Sequence, residues 1–420
     1  MGPSIIIDKS ALEGLSVEEV LTLHRYYFVN VVPVLVTEVL ADLSKEAKRG
    51  TPQEKVTEIA KKLLPGDVVV NAEFRMLIEG ELGGHVIEPD FRPFVVHVVP
   101  VETAAGEAGF HVSETRESLA LGRWRNRSFT DAEGISAELW RAMSTNPQAI
   151  VDLRAKWKGQ SPFDGTVTTL EGALRLTDEL LADPSKQSDW LQFIVSEFEV
   201  PVTQAPLIFL RWEQTDHSSL ATFAPYAHHC CRVRIFFLLL VLNSLAGGTT
   251  DEVDLQYLYY MPFARVFTSN DMKFHGRVLP LFIKEKQDFV TGADLKADLR
   301  RLSKHLASLT DAEEIERFKK EPPLLPNSLT VSLWSKHFNW PRPRFADPRA
   351  NDLAYHAKKA REVYDARPKP GRAPVHGEPS VMMTSASYGP NDFCYCKSGK
   401  TVSQCDCKFA MIFRPPPLAG

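Results

Sequence analysis

Residues 4 to 12, SIIIDKSAL, place three isoleucines directly before an aspartate. A short unbroken apolar run reads as a parallel strand buried on both faces, with Asp8 at its carboxyl end, where open α/β sheets collect ligands. Ser16-x-x-Glu19 is a capping box, and VLTLHRYYFVN after it reads as one helix rich in core residues. Pro33 opens the next helix, VPVLVTEVLADLSKEAKR, in which Glu38 and Asp42 stand four apart and share a face. Asp42 lies near the polar half and reads as solvated. Glu38, among Val36, Val39 and Leu40, needs another reason to be there.

Farther on, DVVVNAEF and FVVHVVPV alternate like strands, whereas ISAELWRAM, LEGALRLTDELL and SDWLQFIVSEF have helical spacing. The apolar run IFFLLLVL follows Arg232 and Arg234 and falls far below the roughly 20 residues that span a bilayer, so it reads as a buried core helix. His228, His229, Cys230 and Cys231 lie just ahead of it. Neighbours on a helix point about 100° apart, so these four cannot converge on one ion and read as core. Gly247 and Gly248 end this helix, Thr250 or Asp251 caps the next, and Asp254 lies in its first turn. ARVFTS is then a short buried strand that delivers Asn270 and Asp271 into the loop at its carboxyl end. TGADLKADLRRLSKHLASL is an amphipathic helix closing the body, and EPPLLPN interrupts the pattern.

Asp8, Glu38, Asp254 and Asp271 thus form a set carried by two strands and two helices. Carboxylates on such supports suit hard divalent cations, Mg²⁺ or Mn²⁺, bound through oxygen. Such ions generate hydroxide from water and neutralise charge at phosphorus, which points to a phosphodiesterase or nuclease. Taken singly, each acid fits a helix cap or an exposed charge equally well, because acids are favourable at helix N-termini. The set as a whole favours the metal.

The segments IIIDKSAL, PVLVTEVLADL, DLQYLYYMPF and VFTSNDMKFH together resemble the PIN-domain ribonucleases of the wider PIN-like nuclease fold. The resemblance implies a three-layer α/β/α fold with a parallel central sheet and a metal site built from Asp8, Glu38, Asp254 and Asp271. Thr268, Ser269 and Asn270 match the small polar residues that the family places beside the metal. Asp251 and Glu252 remain substitutes for Asp254. Cleavage would leave 5′-phosphate and 3′-hydroxyl ends, with a metal hydroxide as general base, and His275 is an assisting candidate outside the set. Dimers are common in the family, so a homodimer is a further expectation. One departure is large: more than two hundred residues separate Glu38 from Asp254, so residues 50–205 are expected to be an insertion or an elaborated α+β subdomain. Within it, GRWRNRSF alternates Arg123, Arg125 and Arg127 around Trp124. As a strand it would put the three arginines on one face, an edge for gripping phosphates and stacking bases, or simply an exposed charged strand.

The chain has 420 residues, 44% hydrophobic and 24% charged, with a formal charge of -4. That length allows two or three structural units, and the charge does not suit a general nucleic-acid binder, so any such binding must come from local patches. Residues 334 to 372 form one, with lysines and arginines interleaved with Trp334, Phe338, Trp340, Phe345, Tyr355 and Tyr364. It suits RNA, though a helix docked on the body by its aromatics is an equally simple reading. The start, MGPSIIIDKS, has no basic region followed by a long apolar run, so a cytoplasmic protein without membrane attachment is expected.

Of six cysteines, four form two Cys-x-Cys pairs, Cys394 with Cys396 and Cys405 with Cys407. In a reducing compartment they suit a tetrahedral Zn²⁺ site. The intervening SGKT is not a phosphate loop, since that motif would require glycine where Cys394 stands. NDFCYCKSGKTVSQC resembles the SEC-C motif, a small zinc module that implies docking to a protein or ribosomal partner. Its usual second pair is adjacent, whereas here Asp406 separates Cys405 from Cys407. The expected organisation is therefore a core in two parts, 1–49 and 206–310, around the segment 50–205, followed by a basic and aromatic extension at 311–366, a Pro-rich linker at 367–388 and a zinc module at 389–413. The expected activity is metal-dependent cleavage of RNA more than of DNA. A non-catalytic adaptor on a degenerate nuclease fold, binding RNA, ribosome or protein, is the alternative. A phosphatase of the haloacid dehalogenase type ranks last, because Ser10 stands where its second aspartate is required.

Overall fold

The computed structural model describes residues 2–63, 68–95, 98–102, 108–112, 115–158, 162–310, 321–338 and 340–341. The zinc-module cysteines, the Pro-rich linker and most of the basic extension lie outside the described residues.

The chain is an α/β protein. Its first half runs β1 (Ser4–Ile7), α1 (Lys9–Glu13), α2 (Val17–Tyr26), β2 (Phe28–Val31), α3 (Pro33–Lys45), α4 (Pro52–Lys62), β3 (Val68–Val70) and α5 (Phe74–Leu82). A hairpin of β4 (Val98–Glu102) and β5 (Ala108–Val112) follows. Next come α6 (Arg116–Arg125), α7 (Asp131–Ser144), α8 (Pro147–Lys158), α9 (Leu170–Ala182), α10 (Gln187–Glu197), α11 (Ala205–Glu213) and α12 (Leu220–Phe223). The last part contains α13 (Pro225–Leu242), α14 (Asp251–Leu258), β6 (Val266–Ser269), α15 (His275–Phe282), β7 (Asp288–Thr291), α16 (Gly292–Ser308) and α17 (Leu329–Phe338).

Five strands form one sheet in the order β3-β2-β1-β6-β7, and every pair in it is parallel. Ile5, Ile6 and Ile7 are all fully buried, so both faces of β1 are covered, as in a three-layer α/β/α arrangement. The strand order reverses between β1 and β6, because β2 and β3 extend the sheet to one side and β6 and β7 to the other. That reversal leaves a crevice at the carboxyl ends of β1 and β6, the place where such sheets bind ligands.

Three local expectations change. VLTLHRYYFVN is not one helix: α2 ends at Tyr26, Tyr27 is extended, and Phe28–Val31 joins the sheet as β2. The aromatic and β-branched run fits a pleated surface better than a helix. DVVVNAEF supplies β3, so the segment 50–205 contributes a strand to the same sheet as β1. The GRWR of GRWRNRSF ends α6, and the rest follows as a turn rather than a strand. Leu121 and Trp124 are buried three residues apart on that helix, and the spacing of the core contacts outweighs the alternation of the arginines.

Helix α13 carries the most apolar run, is mostly buried and packs against α5, α8, α9, α12 and α14. Cys230 and Cys231 on it are fully buried. A ring nitrogen of His229 lies 2.9 Å from the Leu258 carbonyl, and burial pushes this imidazole down to about 3. Trp334 of α17 is buried and donates its indole N–H to the Tyr26 carbonyl at 2.9 Å, so the described start of the basic segment is a helix docked on the body.

Candidate metal centre

Asp8 ends β1 and caps α1. Its Oδ1 accepts the Ala11 N–H at 2.8 Å, and the Ser10 hydroxyl lies 2.9 and 2.8 Å from its two oxygens. The parallel register places Ile7 beside Thr268, so the next residues, Asp8 and Ser269, meet at the crevice. Ser269 donates its hydroxyl to Asp8 Oδ2 at 2.5 Å.

Asp271 follows in the loop after β6. Its carboxylate accepts the Lys273 N–H at 2.9 Å and the Phe274 N–H at 3.3 Å, and its own N–H donates to Ser269 Oγ at 2.9 Å. Asn270 ties this loop to α1, donating its N–H to Ser10 Oγ and its side-chain amide to the Ser10 carbonyl, both at 3.1 Å. Glycine is required at position 292 for this closeness, since a Cβ there would stand 2.6 Å from Asn270 Oδ1 and 2.9 Å from Ala11 Cβ. Thr268 is fully buried within β6, one strand position from Ser269 and on the opposite face.

Glu38 and Asp254 reach the crevice from α3 and α14. Burial pushes the Glu38 carboxyl up to about 7, against a hydrogen bond donated by Tyr257, with Asp254 and Asp8 adding repulsion. Burial likewise raises Asp254 to about 6; His275 opposes the rise and Asp271 adds to it. The four acids therefore sense one another's charge: Glu38 that of Asp8 and Asp254, and Asp254 that of Asp271. The two substitutes for Asp254 are engaged elsewhere. Asp251 accepts the N–H groups of Gly247 and Gly248 at 3.0 and 2.9 Å, and Glu252 pairs with Arg234 at 3.0 Å.

Asp254, Asp271 and His275 present ligand atoms all within 4.8 Å of one another, a group that could hold a metal ion. The hydrogen bonds assign His275 a different part. Its Nε2 lies 2.9 Å from the Asp254 carbonyl, which can only accept. Its Nδ1 lies 3.1 Å from Ser269 Oγ, whose proton is already given to Asp8, and 3.5 Å from Asp8 Oδ2. Both ring nitrogens then face acceptors, an arrangement that suits an imidazolium. Burial alone would lower it, but the hydrogen bond to Asp8 and the charges of Asp254 and Asp8 prevail and hold it up at about 9. In this arrangement the fully buried His275 serves as a counter-charge among the acids.

Sequence reasoning named His275 only as an assisting candidate, and it missed Tyr257 and Lys9. Spacing could have suggested Tyr257, which stands three positions after Asp254 on the same helix. Lys9 pairs with Asp42 at 2.6 Å and with Glu13 at 3.5 Å. Asp42, read as solvated, is only 1% exposed.

The arginines stand apart from this site. Arg123 pairs with Glu133 at 2.5 Å, and Arg125 donates to the Ala60 carbonyl at 3.1 Å and to that of Leu63. Trp124 between them is buried and stacks on Phe129. Arg127 follows the helix with φ 57°. The shared basic face expected of a strand is not formed, because helical geometry turns these side chains toward different partners.

No protein-family model, curated protein or solved structure matches this chain.

Proposed function

We propose that the chain is a metal-dependent nuclease of the PIN-like kind, acting on RNA in preference to DNA. The observation that carries this reading is the clustering of Asp8, Glu38, Asp254 and Asp271 at the sheet's crevice, where burial first and neighbouring carboxylates second raise Glu38 to about 7 and Asp254 to about 6. Carboxylates so close repel one another unless positive charge is supplied. His275 supplies one charge, and Lys9, which also acts on Glu38, is already paired with Asp42 and Glu13, so the cluster stays in deficit. An all-oxygen donor set suits Mg²⁺ or Mn²⁺, and the four acids would hold it.

When bound, such an ion activates water for attack on phosphorus and neutralises the departing oxygen. The chain's own residues set the geometry. Ser10, Ser269 and the Ala11 N–H fix the Asp8 carboxylate, Tyr257 fixes one oxygen of Glu38, and backbone N–H groups before α15 fix Asp271. His275 joins β1, β6 and α14 through Asp8, Ser269 and the Asp254 carbonyl, and so holds the acids in mutual register. In the same reading the four tail cysteines hold Zn²⁺ as a SEC-C-type module for docking to a partner.

The test is incubation of the purified protein with a mixed RNA pool and Mn²⁺, beside an Asp8→Ala, Asp271→Ala double variant. The wild type is expected to cleave, and the variant to lose on the order of a thousandfold in rate, as removal of metal assistance implies. Retention of RNA without cleavage by either protein would instead support the adaptor.

A further inference from the structure

A cavity of about 650 Å³ opens between α3, α5, α7 and α14. It shares two helices, α3 and α14, with the acid cluster. Thr37 and Val253 line the cavity, while the next residues, Glu38 and Asp254, belong to the cluster. Adjacent Cα atoms are about 3.8 Å apart and helix neighbours point about 100° apart, so cavity and cluster lie on adjoining faces of the same helices.

The wall contains Trp140, which is partly buried against the core. Trp124, Trp190, Trp212 and Trp334 each pack on another ring, whereas among the described residues Trp140 packs on none. Met143, one helical turn farther along α7, is 67% exposed at the rim. Arg75 also lines the cavity, where it lies over the Phe74 ring at 5.5 Å and forms an exposed pair with Glu199 at 3.4 Å. The acids in the wall are already employed: Glu73 accepts the N–H groups of Arg75 and Met76 at the start of α5, and Glu252 pairs with Arg234. A cavity of this size takes one nucleotide-sized group. An aromatic wall with a nearby arginine fits a base and the phosphate next to it.

We propose that this cavity receives an unstacked base of single-stranded RNA adjoining the scissile phosphate, stacked on Trp140. The inference rests on the nuclease reading above and adds a determinant of where cleavage occurs. RNA is commonly recognised in this way, through splayed bases on aromatic side chains.

The experiment measures KM and kcat in Mn²⁺ on an RNA of defined cleavage site, and on the same RNA with an abasic nucleotide beside the cut, for wild type, Trp140→Ala, Trp140→Phe and Met143→Glu. Trp140→Ala is expected to raise KM about tenfold on the intact RNA, the size of one lost base–aromatic stack. Its kcat should stay within about twofold, and the KM effect should vanish on the abasic RNA. Trp140→Phe should restore most of the affinity. Met143→Glu changes an exposed rim position and should raise KM several-fold by placing an acid at the entrance, which decides the matter even if Trp140→Ala fails to fold. Unchanged KM in the folded Trp140→Ala variant, or in Met143→Glu, with the wild type cleaving, would overturn the base site and leave the nuclease reading intact. A wild type that cleaves no RNA would remove both.

Discussion

Two groups of buried acids in this molecule are built in opposite ways. Asp298 on α16 is 5% exposed and has donors on both oxygens. Oδ2 accepts the Thr330 N–H at 2.8 Å, the Thr330 hydroxyl at 2.7 Å and the Ser328 hydroxyl at 3.1 Å, and Oδ1 pairs with Arg301 at 2.6 Å. These bonds fasten the start of α17 to the body. Glu38 and Asp254 instead face other carboxylates, with Tyr257, Lys9 and His275 as partial compensation. A carboxylate whose donors all come from the chain is a fastening. One whose neighbours are mostly acids is in charge deficit, and a cation from outside is the simplest remedy.

The largest stability effect should come from breaking the fastening. Asp298→Ala would leave buried donors on Thr330 and Ser328 and remove the charged partner of Arg301, at a cost on the order of 3 kcal/mol in urea unfolding. No change in the unfolding midpoint would remove the contrast between the two groups.

Neutralising the cluster should act in the opposite direction and by less. The folded-state carboxyls of Asp254 and Glu38 stand at about 6 and about 7, against ordinary values of 3.8 and 4.5. The folded chain therefore keeps protons that the unfolded chain releases, and metal-free stability falls as pH rises between about 4 and about 7. Asp254→Asn removes its share, so in EDTA at pH 8 the variant should be more stable than wild type, on the order of 2 kcal/mol, with a flatter pH profile. A less stable variant across that range would mean that the cluster is structural like Asp298.

The difference in construction also governs what could be read from the sequence. IIIDKSAL and VFTS declared themselves as buried strands because an unbroken apolar run has few other uses, and Asp8 and Asp271 came with them. Pro33 and the apolar stripe of α3 marked Glu38. By contrast β2 lay hidden against the end of α2, since Tyr26, Tyr27 and Phe28 are apolar in either state and only sheet pairing decides. β7, DFVT, is a short strand on the edge of the sheet, too polar to stand out. Arg123 and Arg125 alternate like strand residues, yet they sit on a helix fixed by the burial of Leu121 and Trp124. The partnership of His275 with Asp8 joins positions more than 260 residues apart in the chain, and no local periodicity encodes that.

The charge deficit of the cluster can be measured directly by calorimetric titration of Mn²⁺ into the wild type and the Asp8→Ala, Asp271→Ala variant. Mn²⁺ prefers oxygen ligands over thiolates, which separates this site from the tail cysteines. Saturable binding to the wild type and its loss in the variant is the expected result. Equal binding to both proteins, or none to either, would contradict the assignment of these four carboxylates as a cation site.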